Sequence, residues 1–158
     1  SKDSFDSFRK KVKTILNPAP AAEIDESLFS MIDYFTPNET EASFYVDHNV
    51  ETHEDAEKAA MQLLEKGIKN VVITLGEKGA FFANSNKKFS LPIANLSNPV
   101  VDTTGAGDAF NAGFAAALTE GQNIRDALKF ASATAGLSTT KIGTANSMPS
   151  REEIEKLL

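Results

Sequence analysis

Residues 52–76, THEDAEKAAMQLLEKGIKNVVITLG, place a helix and a strand back to back. Thr52, followed three residues later by Asp55, has the form of a capping box. Ala56, Ala59, Ala60, Leu63 and Leu64 recur on one helical face, and Gly67 supplies the stop. Asn70 to Leu75 is then an unbroken apolar run ended by Gly76. Such a run suits a strand buried on both faces, as in parallel sheets. A helix feeding such a strand is the repeating unit of an α/β fold.

Elements of the same kind extend to either side. Phe5, Phe8 and Val12 have the spacing of a helix end, and Val12 to Leu16 is β-rich until Asn17-Pro18-Ala19-Pro20. Residues 25–33 read as a helix with Leu28, Met31 and Ile32 on one face. Tyr34 to Thr36 reads as a short strand ended by Pro37, and residues 38–45 as a short helix. Ala80 to Ala83 and Lys87 to Leu91 form a candidate hairpin across Asn84-Ser85-Asn86. Val100 and Val101 read as an apolar strand leading into DTTGAGDAF (102–110), from which a helix runs to about Thr119 with Phe110, Phe114, Ala117 and Leu118 inward. Asn123 with Asp126 opens another helix, with Ile124, Ala127, Leu128 and Ala131 on one side. Ser150 with Glu153 caps a last one carrying Ile154, Leu157 and Leu158. Strands alternating with helices predict a single α/β domain with a largely parallel sheet. No lead-in strand precedes the first helix, which points to a piece of a longer protein.

Composition narrows the function. The chain has 158 residues, 41% of them apolar, and a net charge of −6. That charge disfavours a nucleic-acid surface but is compatible with a phosphate site built from backbone N–H groups. There is no cysteine, which excludes a disulfide framework and thiolate metal sites and permits a cytoplasmic location. No apolar run approaches the ~20 residues of a membrane span, and the first residues lack the apolar stretch of a secretory signal. The sequons Asn38-Glu39-Thr40 and Asn95-Leu96-Ser97 therefore carry little weight.

The densest chemical signal is Asp102-Thr103-Thr104-Gly105-Ala106-Gly107-Asp108. Small residues at a helix start let a phosphate approach the backbone. Asp108 in the first turn could accept a proton from an attacking hydroxyl. A base and fixed donors are the parts phosphoryl transfer needs. The plain alternative is an Asp serving as a dipole partner behind a tight glycine turn. Neither G-x-G-x-x-G nor G-x-x-x-x-G-K-[ST] occurs, which counts against an NAD-binding domain and a P-loop.

DTTGAGDAF closely resembles the C-terminal signature of the ribokinase (PfkB) family of sugar kinases. Leu16 to Ala21 (LNPAPA), Thr36 to Ala42 (TPNETEA), Ile73 to Gly79 (ITLGEKG) and the closing Gly143…Ser147-Met148-Pro149-Ser150-Arg151-Glu152-Glu153 match other family segments in the family's order. The resemblance implies a three-layer α/β/α fold, present here as its C-terminal portion, and transfer of phosphate from ATP to a small sugar. Ribose is favoured. Fructose, 2-keto-3-deoxygluconate and a nucleoside remain open as substrates, and a non-catalytic nucleotide-binding module remains open as an alternative.

By the same resemblance Asp108 is the catalytic base, and Gly105, Ala106 and Gly107 form the anion hole. Asn38 and Glu41 match the motif that places Mg²⁺ and the phosphates; the plain reading is a capping box. Thr74, Leu75, Gly76, Glu77, Lys78 and Gly79 match the nucleotide loop. Ser132 stands near the adenine, where some relatives have Asn. Asp102, Thr104, Ser138, Lys141, Gly143 and Ser147 match a monovalent-cation (K⁺) site, mostly through backbone carbonyls. Residues Ser43 to Asn49 depart from the family's usual Leu-Thr-Gly, and His48 and His53 read as surface residues. The glycine-rich sugar motif and the dimerising β lid of the family are not in the chain. The resemblance thus implies that these 158 residues alone are inactive or nearly so, leave an open sheet edge, and form a homodimer only in the presence of the lid.

Overall fold

The computed structural model describes residues 12–158. They separate into two compact units, one running to Leu75 and including Phe81–Ser90, the other comprising Gly76–Ala80 and Leu91–Leu158. The reading of Phe5 and Phe8 as a helix end lies outside the described residues.

The first unit is built on a sheet of five strands in sequence order: β1 (Ile15–Leu16), β2 (Tyr34–Phe35), β3 (Asn70–Thr74), β4 (Ala80–Asn84) and β5 (Lys88–Leu91). β1 pairs in parallel with β2, Leu16 opposite Phe35, and β2 in parallel with β3, Phe35 opposite Val71. β4 and β5 form the expected hairpin. Asn84 shapes its turn, accepting on Oδ1 from the N–H groups of Asn86 (2.9 Å) and Lys87 (2.8 Å). Strands joined by so short a link run antiparallel. The sheet is therefore mixed rather than largely parallel.

Two helices belong to this unit: α1 (Glu39–Tyr45) and α2 (His53–Glu65). α2 buries Ala56, Ala59, Ala60 and Leu63 in one core with Val71 and Ile73 of β3. Alanines on that face let the helix lie close to the strand. Val72 points to the opposite face and is equally buried, so β3 is covered on both sides. Tyr45 meets Phe35 edge to face at 5.2 Å, and its hydroxyl donates to the Ala22 carbonyl at 2.6 Å, pinning the proline segment.

Residues 25–33 differ from expectation. They form a 3₁₀ turn, Glu26–Met31, capped by Asp25, which buries Phe29 and Ile32 and leaves Leu28 and Met31 exposed. At three residues per turn, positions 29 and 32 share a face; the α-helical reading had paired 28 with 31 and 32.

The second unit packs α3 (Ala106–Thr119), α4 (Ile124–Ser138) and α5 (Arg151–Leu157). α3 and α4 lie close together where Gly113 faces the Thr134 hydroxyl. Arg151 closes the bundle: its guanidinium binds Glu120 in a fork and lies 4.8 Å from the Phe130 ring centroid. The expected strand at Val100–Val101 is absent. Both valines are exposed, and the N–H groups of Val101 (2.8 Å) and Asp102 (3.1 Å) bond instead to the Thr139 carbonyl at the end of α4.

Candidate phosphate and catalytic site

The turn from Asp102 to Asp108 lies wholly in the second unit. Gly105 is the N-cap of α3 with φ +77°, a conformation that favours glycine. Asn38, Thr52, Asn123 and Ser150 each cap their own helix with a side chain; α3 has no side-chain cap. The Ala106 N–H turns back to Thr103 O (3.1 Å), and that of Ala109 donates to Gly105 O (2.9 Å). No side-chain cap takes the N–H groups of Gly107 and Asp108, which sit at the positive end of the helix dipole. Nothing lies within 4 Å of where a Gly107 Cβ would stand, so an anion can reach this backbone. The Asp108 carboxylate, also exposed, rises from the same turn.

A second loop braces this one. Asp102 accepts from the Thr104 N–H on Oδ1 (2.9 Å) and from the Gly143 N–H on Oδ2 (3.0 Å). These bonds, that of Gly143 foremost, hold its carboxyl down at about 2, so it is ionised at neutral pH. Thr144 presents its methyl 3.0 Å from the position of a Gly105 Cβ. Ser147, fully buried, donates to Thr144 O at 2.7 Å, and Ser138 to Ala135 O at 2.7 Å. The Lys141 ammonium pairs with Glu153 at 2.9 Å, which leaves its carbonyl as the group that could meet a cation.

In the first unit, Asn38 and Glu41 form the capping box of α1. Asn38 Oδ1 accepts from the Glu41 N–H (2.8 Å) and Glu41 Oε2 from the Asn38 N–H (2.9 Å). The plain reading of the pair is therefore realised, and the box leaves Glu41 Oε1 over. An isolated parallel bridge sets Asn38 beside Thr74, so the start of α1 and the carboxyl end of β3 come together. Ligands of open α/β sheets collect at such strand ends. Leu75, next along the chain, is buried in the core.

The loop that follows is a 3₁₀ turn, Gly76–Lys78, with Glu77 and Lys78 exposed. Gly79 closes it at φ +90°, where a Cβ would stand 2.1 Å from the Leu91 carbonyl. Ser132 is half-buried midway along α4. His48 is more engaged than a surface histidine. Its Nδ1 lies 3.2 Å from the Asp47 carboxylate and its Nε2 3.2 Å from the Asp55 carbonyl, which together raise its pKa.

Residues 5–151 match the pfkB family of carbohydrate kinases. The chain belongs to that family. It is 44% identical over 147 residues to the ribokinase of Haemophilus influenzae, covering 93% of this chain and 47% of that protein. It is 38% identical over 154 residues to the deoxyribokinase of Salmonella typhi, covering 96% and 50%. The structure of Arabidopsis thaliana ribokinase complexed with ribose and ATP superimposes with a TM-score of 0.87 at 36% identity, over 96% of this chain and 49% of that one. An Escherichia coli protein classed with ribokinase II, complexed with ATP and Mg²⁺, gives a TM-score of 0.72 at 28% identity, over 84% and 41%. The chain thus spans about half the length of the curated relatives it matches.

Proposed function

We propose that the protein transfers the γ-phosphoryl group of ATP to a hydroxyl of a small sugar, D-ribose giving ribose 5-phosphate. The observation that carries this reading is the uncapped start of α3 with Asp108 in the same turn. Asp108 takes the proton from the sugar hydroxyl as its oxygen bonds to the γ-phosphorus. The bond from that phosphorus to the β–γ bridging oxygen breaks, and ADP leaves with the electron pair. The N–H groups of Gly107 and Asp108 meet the charge on the moving phosphoryl oxygens, where fixed donors need no reorganisation. Gly105 supplies the turn, and Ala106 its small side chain.

The remaining assignments follow the family resemblance. Thr74 to Gly79 and Ser132 face the nucleotide. Asn38 and Glu41 serve Mg²⁺ and the phosphates, Glu41 through the oxygen its capping box leaves over. Mg²⁺ supplies charge neutralisation on the phosphates and keeps several waters. Asp102, with the carbonyls of Thr104, Ser138, Lys141 and Gly143 and the Ser147 hydroxyl, holds K⁺. A three-layer α/β/α fold and a homodimer formed through a lid outside these residues belong to the same reading. So does the expectation that the 158 residues alone turn over little sugar.

Ribose is preferred because the LNPAPA (16–21) and TPNETEA (36–42) segments resemble those of ribokinases. The test is ADP release by the complete protein with ribose, 2-deoxyribose and fructose, each in K⁺ and in Na⁺. Ribose should give the highest kcat/KM, and K⁺ should raise it. A preference for 2-deoxyribose or fructose would replace the substrate but keep the reaction; no ADP release with any sugar would remove the reaction itself.

A further inference from the structure

Asn111 stands one helical turn beyond Gly107, and its side-chain amide donates to the Gly107 carbonyl at 2.9 Å. Only the amide nitrogen can donate to a carbonyl, so chemistry sets its orientation. Within α3 the same carbonyl is the acceptor for the Asn111 backbone N–H. Two donors therefore converge on one peptide group, whose other end is the Asp108 N–H.

We infer, building on the reaction proposed above, that Asn111 is a positioning residue for the anion site. Its effect has two parts. A carbonyl with two donors is polarised, and its peptide N–H becomes a stronger donor, by about 10–30% per added bond. The second part is orientation. Gly107 carries no side chain, so this peptide is held by the helix bond from the Asn111 N–H, and the Asn111 amide adds a second anchor on the same carbonyl. The amide restrains the peptide at its carbonyl end, opposite the Asp108 N–H. It thereby also fixes the start of the Asp108 side chain.

Other residues of the chain indicate which substitutions preserve such a bond. Thr119 donates to Ala115 O and Thr134 to Phe130 O, each at 2.7 Å and each across the same four-residue step. A hydroxyl at position 111 can reach the Gly107 carbonyl in the same way. Asn111→Ser therefore keeps a donor, Asn111→Ala removes it, and Asn111→Asp keeps the shape but opposes two oxygens.

The experiment uses the complete protein and measures kcat, both KM values, the affinity for MgADP, the affinity for MgADP with aluminium fluoride and sugar, and Tm. Asn111→Ala and Asn111→Asp should lower kcat about ten-fold, less than the loss of an oxyanion donor itself. They should weaken aluminium fluoride binding to a similar degree. KM values and MgADP affinity should change less than about two-fold, the pattern of an interaction made only in the transition state. Asn111→Ser should recover most of kcat. An unchanged kcat in Asn111→Ala, or a parallel fall of MgADP affinity and Tm with no recovery in Asn111→Ser, would overturn the inference while leaving the kinase reading intact. A wild-type protein with no sugar-kinase activity would overturn both.

Discussion

Two glycines are held in place by geometry that other residues cannot share. Gly105 turns the chain at φ +77° into an uncapped helix. Gly79 turns it at φ +90° with the Leu91 carbonyl where a side chain would stand. Gly79→Ala should therefore shift backbone rather than a flexible neighbour, destabilising the fold by about 2–3 kcal/mol from strain alone. Urea unfolding of the variant checks this; an unchanged midpoint would mean that the Leu91–Ile93 backbone moves aside freely. His48 makes a prediction about pH. Its partners raise its folded pKa above the ordinary 6.5. The charged form is thus favoured in the folded state. This stability is fully present below pH 6.5 and is lost as pH rises through the raised value. The acidic groups about it are Asp47 and Asp55, with Lys58 next to Asp55. The difference in Tm between wild type and His48→Gln should shrink on going from acidic to mildly alkaline pH; a difference independent of pH contradicts the assignment.

At the scale of elements, the join between α3 and α4 rests on Gly113. A Cβ there would meet the Thr134 hydroxyl at 2.5 Å and the Ala131 Cα at 3.2 Å. Alanine favours a helix by ~1 kcal/mol over glycine. Overpacking a filled core costs about 1–3 kcal/mol, so Gly113→Ala should be net destabilising by denaturant titration. A stabilised variant would show that α4 can retreat. The elements also show what the sequence could reveal. α2 is legible because its apolar residues follow one helical period up to Gly67, and β3 because it is an unbroken apolar run ended by Gly76. The 3₁₀ turn over Glu26–Met31 was misread because Phe29 and Ile32 fit a period of three, which short segments do not distinguish from 3.6. Val100 and Val101 read as a strand from composition, yet the N–H groups of Val101 and Asp102 find their partner at the end of α4, far along the chain. Of the candidate site, the small-residue turn before α3 and the place of Asp108 in its first turn are legible in the sequence, while the roles proposed for them come from the family resemblance. Asn111 has a local signal, its place four residues after Gly107. Thr144 had none, since its neighbour Gly105 is remote in sequence.

At the scale of the whole molecule, family membership rests on a match over residues 5–151 and on ordered motifs, whereas the reaction rests on one turn. On the proposed reading, Asp108 is the base for ATP-dependent phosphorylation of a sugar. The most direct measurement is the turnover of the complete protein carrying Asp108→Asn, beside its affinity for MgATP by calorimetry. This side chain keeps its size and loses its capacity to take a proton. kcat should fall by about 10²–10⁴, the usual contribution of a positioned base, while MgATP affinity stays within about three-fold. Turnover close to wild type, with MgATP bound equally well, would remove Asp108 from the chemistry and contradict the account.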